Sequence, residues 1–100
     1  MMNVKIGENI KLKIIDYSFE IPIDEDSVLI DSIVEDDGNN IENVDTSIIP
    51  YNYKNGVLTI EGLIVNTHRY IITFKRIANK KYIKNKTFKL TIQGVMWNEL

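Results

Sequence analysis

Apolar and polar residues alternate along most of this chain. Asn3–Ile6 (NVKI) and Ile10–Ile15 (IKLKII) change sides at every step, with Gly7-Glu8-Asn9 between them as a turn or kink. A period of two is that of a half-buried β-strand, whose successive side chains point to opposite faces. Tyr17–Ile23 (YSFEIPI) continues it, with Tyr17, Phe19, Ile21 and Ile23 on one face. Pro22 has no N–H to give a ladder, so this piece reads as an edge or a strand end. Asp24-Glu25-Asp26 then forms an acidic turn, and Ser27–Val34 (SVLIDSIV) is the next expected strand.

The turn residues divide the rest. Asp37-Gly38 followed by Asn39-Asn40 tolerates positive φ and reads as a tight turn. Residues 41–56 (IENVDTSIIPYNYKNG) hold one short strand at most, then an irregular crossing on which Tyr51 and Tyr53 either pack on a sheet or face outward. Asn55-Gly56 leads into Val57–Ile60, a corner at Glu61–Thr67 feeds Arg69–Ile77, and Asn79-Lys80-Lys81 begins a hairpin loop before Thr87–Val95. No stretch carries the 3.6-residue period of a helix. About seven short strands at roughly 8–12-residue intervals indicate an all-β sandwich or barrel. The expectation is one antiparallel β-sandwich spanning residues 1–100.

Residues 57–74 (VLTIEGLIVNTHRYIITF) sharpen this. Two apolar runs flank a polar corner, and Tyr70 stands at the entrance of the second. In immunoglobulin-like and fibronectin type III-like sandwiches, a tyrosine near the start of strand F braces the E–F corner through its hydroxyl. The fibronectin form runs leucine, five residues, tyrosine, with a threonine often just before. Ile64 to Tyr70 has that length, with Ile64 in the leucine's place and Thr67 near the threonine; Leu63 fills the role if the corner holds an extra residue. LTIEGL and YIITF resemble strands E and F, and TFKLTIQ resembles strand G. The chain therefore resembles an immunoglobulin-like or fibronectin type III-like domain over about 35 residues. The resemblance implies a seven-strand antiparallel sandwich with Tyr70 as a structural brace. The first half departs from it, with no early core tryptophan and no cysteine pair. A small barrel such as an OB-like fold is the alternative.

Composition limits the chemistry. One hundred residues without cysteine make one core with neither disulfide nor thiolate metal site. The N-terminal stretch has no apolar run of signal-peptide length, and nothing approaches the roughly 18 apolar residues of a membrane span. Cytoplasmic synthesis is expected, with the protein either kept there or assembled into something larger. His68 is the single histidine, so any Ser–His–Asp arrangement must use it. It is expected as an exposed corner residue beside Arg69. No spacing singles out a carboxylate pair and no Gly-rich phosphate loop is present, so no enzyme and no cofactor are expected. Asp24-Glu25-Asp26 and Glu35–Asn39 carry the oxygen ligands calcium takes, but not at EF-hand spacing, and read as solvated turns.

Charge is the most informative remaining feature. Eleven acids and no lysine or arginine lie between Ile14 and Tyr53, whereas eight bases and no acid lie between Gly62 and Asn98. The near-neutral total, −2, hides a bipolar chain. Three explanations compete. The halves pair internally as adjacent strands; or the hairpin bases bind nucleic acid, with Tyr82 and Phe88 as stacking groups; or opposite charges join subunits. The candidate interface is Lys75, Arg76, Lys80, Lys81, Tyr82, Lys84 and Lys86, with Met96 and Trp97 either covering the core or anchoring a neighbour. Small sandwich proteins of this kind are familiar in bacteriophage particles. The functional expectation is a structural docking subunit, such as a capsid decoration, neck or tail component. The alternative is a module binding carbohydrate or single-stranded nucleic acid.

Overall fold

The computed structural model describes residues 1–13, 28–54, 56–78 and 81–97, and of residues 28, 76–78 and 81–86 the backbone alone. The expected strand Tyr17–Ile23 and the turn Asp24–Asp26 lie outside these residues. Among the described residues the chain is all-β, with two sheets and no α-helix. In chain order the strands are β1 (Met2–Lys5), β2 (Ile10–Lys13), β3 (Val28–Asp36), β4 (Ile41–Val44), β5 (Tyr51–Lys54), β6 (Val57–Ile60), β7 (Arg69–Ala78) and β8 (Lys81–Val95). One sheet has the order β1-β8-β7-β3-β4 and the other β2-β6-β5.

One core joins the sheets. Ile33, Tyr70, Ile72, Phe74 and Ile92 come from the larger sheet, and Ile10, Tyr53, Leu58 and Ile60 from the smaller. Their alternation places every second residue inside, as on β7, where Tyr70, Ile72 and Phe74 are buried and Arg69, Ile71, Thr73 and Lys75 face outward. Each such apolar side chain stabilises by roughly 1.5–3 kcal/mol when fully buried. Phe74 and Phe88 stack across β7 and β8 with ring centroids 5.4 Å apart.

Three sequence expectations need correction. The sheets are mixed, because β1 runs parallel to β8, with Met2 opposite Ile92 and Lys5 opposite Val95. A period of two identifies a strand but carries no direction. Residues 41–54 hold two strands, not one, separated by a 3₁₀ turn at Thr46–Ile48. Asp45 nucleates that turn by accepting from the Ser47 N–H at 3.0 Å. The last strand begins at Lys81, not Thr87, with Ala78 opposite Lys81.

Gly7 (φ +87°) turns the chain from β1 into β2 and so from one sheet to the other. The β3–β7 ladder shifts between Ile30 and Ser32, leaving Asp31 with no residue opposite it. This bulge lets Ile30 and Ile33, an odd number of residues apart, both face the core. The Ile30 N–H donates instead to the Tyr51 hydroxyl, 3.4 Å away on the other sheet.

Candidate functional site

The period of two on β3 continues past Ile33 and carries Glu35 to the inner side of the strand, opposite Tyr70 on β7 and Glu42 on β4. There the core ends and the corner of residues 61–68 crosses between the sheets. Four side chains meet. Glu35 Oε1 accepts from Asn66 Nδ2 at 2.7 Å and from the Tyr70 hydroxyl at 3.3 Å, and it lies 2.7 Å from His68 Nδ1. A carboxylate can only accept, so Nδ1 carries the proton. The Tyr70 hydroxyl also donates to Asn66 Oδ1 at 2.7 Å, and the same oxygen accepts from the His68 N–H at 2.9 Å. Asn66 thus ties its own corner to both β3 and β7.

Backbone contacts fix the corner beneath this network. Glu61 N–H donates to the Pro50 carbonyl at 2.9 Å, Gly7 N–H to the Ile64 carbonyl at 3.0 Å, and Gly94 N–H to the His68 carbonyl at 3.0 Å. Gln93 Nε2 donates to the Thr67 carbonyl. The corner lies so close to β8 that a Cβ on Gly94 would run into the Asn66 carbonyl oxygen.

The electrostatics follow from these contacts. The Asn66 amide and the His68 ring, followed by the His68 charge and the Tyr70 hydroxyl, hold the Glu35 carboxyl below its ordinary value of 4.5 against the opposing effect of burial. Burial, then the neighbouring Glu35 charge, pushes the Tyr70 phenol up. Asp37 is lowered by the N–H groups of Asn40 and Asn39, which it holds at 2.7 Å each. Asp36 in turn accepts from the Gly38 N–H at 2.8 Å. These turn carboxylates are bound to their own backbone. Among the described residues no group of three or more His, Asp or Glu is placed to hold a metal ion.

Among the described residues two open clefts adjoin His68. The larger, about 250 Å³, lies between the Asp36–Gly38 turn and Thr67, Arg69 and Gln93. The smaller, about 80 Å³, lies between Glu35, Asp37 and Glu42. The Glu35–His68 pair orients an imidazole as a catalytic triad does. Among the described residues, however, no hydroxyl or thiol hydrogen-bonds its ring. What this arrangement does is join β3, the corner and β7.

Tyr70 is 1% exposed and inside the corner network. His68, expected as an exposed corner residue beside Arg69, is 37% exposed at the side chain and joined to Glu35. Lys75 pairs with Asp31 at 3.1 Å across β7 and β3. The side chains of Arg76, Lys81, Tyr82, Lys84 and Lys86, and Lys80 altogether, lie outside the described residues. Met96 and Trp97 follow β8 and are 47% and 61% exposed. The Lys5 ammonium sits 4.9 Å from the centre of the Trp97 ring. Tyr53 is buried and Tyr51 half-buried, both packed on the sheets.

Sequence reasoning misses Glu35 and Asn66. Glu35 groups by sequence with the acidic turn that follows it, although its even spacing from Ile33 marks it as inward. No protein-family model matches the chain, and comparison with curated proteins and with solved structures yields no match.

Proposed function

We propose that the chain is a non-enzymatic, immunoglobulin-like interaction module that serves as a structural subunit of a bacteriophage particle, as decoration, neck or tail component. The immunoglobulin-like reading draws support from strand order. An immunoglobulin sandwich sets B, E and D side by side and faces them with C, F and G. Here β2-β6-β5 corresponds to the first set, and β3-β7-β8, extended by β4 and β1, to the second. Tyr70 opens the strand that would be F, as a tyrosine corner requires.

The docking reading rests on one observation, the position of Trp97. This tryptophan is 61% exposed beside the half-exposed Met96, so most of its apolar surface stays uncovered by the described chain. Tryptophan and methionine are enriched at the centres of protein interfaces, where loss of a single anchor commonly costs about 2 kcal/mol or more. The particle setting is an argument from fold analogy. Quantitative mass spectrometry of purified particles tests it, with the chain expected at a fixed copy number. Trp97→Ala should lower incorporation by about tenfold or more. Undiminished incorporation of that variant removes the anchor, and absence of the chain from particles removes the virion assignment.

A further inference from the structure

The smaller sheet covers the inner face of the larger one. The outer face of β4, β3, β7 and β8 is therefore a second sheet surface, and its residues follow from the register. One row holds Ile41, Asp36, Arg69 and Gln93 side by side. The next holds Asn43, Val34, Ile71 and Thr91, and the next Ser32, Thr73 and Lys89. Beyond these lie Leu29, Lys75 and Thr87, with the bulged Asp31 beside Lys75. Acids thus stand on β3 and bases on β7, Asp36 level with Arg69 and Asp31 reaching Lys75 from the bulge, with Val34 and Ile71 half-buried between them. Leu29 and Ile41, two large exposed apolar residues, lie on the same face.

Rotation by half a turn about an axis parallel to the strands, between β3 and β7, exchanges the two strands and keeps every height. Asp36 of one copy then faces Arg69 of the other, and Leu29, with the bulged Asp31 carboxylate reaching the same ammonium, faces Lys75. Val34 faces Ile71. The result is an apolar group of four side chains between two alternating charge quartets, a pattern that matches itself and no arbitrary surface. We propose that this outer face is a self-complementary dimer interface, with a second copy of the chain as its occupant.

The face is small. Four strands at about 4.8 Å, over some seven residues of about 3.4 Å, give a footprint of roughly 450 Å² per copy. That lies at the low end of specific interfaces and implies a weak dimer, with Kd on the order of micromolar. The charge quartets make it weaken as salt rises. The inference rests on the docking reading above but uses a different surface, so the two fail separately.

Sedimentation equilibrium of the purified chain from about 1 to 500 µM tests it. A reversible dimer is expected in low salt. Arg69→Glu puts four acids in one quartet and should raise Kd about 30-fold or more, while Asp36→Lys with Arg69→Glu restores alternation and should bring Kd back to within about threefold. Val34→Lys, which leaves the turn carboxylates alone, should also abolish the dimer, and Trp97→Ala should leave it unchanged. Thermal melts confirm that each variant is folded. A monomer across the whole range overturns the proposal. So does a dimer that survives both Arg69→Glu and Val34→Lys, or one lost in Trp97→Ala.

Discussion

Glu35 shows how one residue can close a fold. It is an acid on the inner side of a strand, set directly across from Glu42, an arrangement that costs free energy on its own. Donors from Asn66, His68 and Tyr70 offset that cost, and they act on the ionised form. Because the folded carboxyl lies below 4.5, the unfolded chain binds more protons just beneath that pH. The stability from this group is therefore complete above about pH 4.5 and is lost as pH falls through the lower folded value. Urea unfolding of wild type and Glu35→Gln between pH 7 and pH 3 measures this. The variant should be less stable at neutral pH by about 1–3 kcal/mol and should flatten below pH 4.5, where wild type declines; parallel curves would refute the role. Gly94 is the other residue with no substitute. A methyl group there meets the Asn66 carbonyl, so Gly94→Ala must push the corner away from β8. A loss of about 2–3 kcal/mol is expected in chemical denaturation, and a change under about 0.5 kcal/mol would mean the corner yields freely. Tyr70 is legible from its place at the head of an apolar run. Glu35 is not, because its inward direction depends on where the strand ends, and acidic residues beside a turn resemble solvent-facing ones.

At the scale of elements, the strands legible from sequence are those rich in β-branched and aromatic residues, such as Val57–Ile60 and Arg69–Ile77. The two that sequence does not resolve, Ile41–Val44 and Tyr51–Lys54, are rich in asparagine and charge, and they form because β3 and β6 supply ready ladders. Here tertiary pairing overrides propensity. The direction of β1 is equally hidden, since it depends on which edge remains open after β8 has paired with β7. β3 holds a more specific lesson. Ile30 and Ile33 cannot share a face in a regular strand, and the bulge at Asp31 resolves the conflict by leaving one residue out of the count. Removing Asp31 should then regularise the ladder, with Ile30, Ser32 and Ile33 alternating in, out and in. Only a half-exposed ion pair with Lys75 would be lost, worth about 0–1 kcal/mol. The deletion variant should fold cooperatively with stability within about 1 kcal/mol of wild type. Its Ile30 amide should exchange more slowly, having moved from the Tyr51 hydroxyl to the β7 ladder. An unfolded deletion variant, or one weakened by several kcal/mol, would show that the bulge serves more than register.

For the molecule as a whole, the bipolar charge of the sequence becomes a lateral contact. The acidic half supplies β3 and the basic half β7, and these strands are neighbours, joined by Lys75 and Asp31 at 3.1 Å with Asp36 across from Arg69. Part of the segregation is thus resolved inside the chain, which the sequence allows but does not select over docking. The magnitude follows from exposure. Both members of the Lys75–Asp31 pair are at least a third exposed, so water screens them and the pair contributes little. Salt weakens such attractions, but it equally relieves the opposition of Glu35 to Glu42 and the crowding of Asp36 with Asp37. The two effects have opposite sign and similar reach, since at 0.1 M the screening length is about 10 Å, longer than either contact. Stability of the monomer should therefore change by less than about 1 kcal/mol between 0.05 and 0.5 M sodium chloride, measured by urea unfolding at low micromolar protein. A loss above about 2 kcal/mol would mean that attraction between β3 and β7, more than burial of the apolar core, holds the fold together.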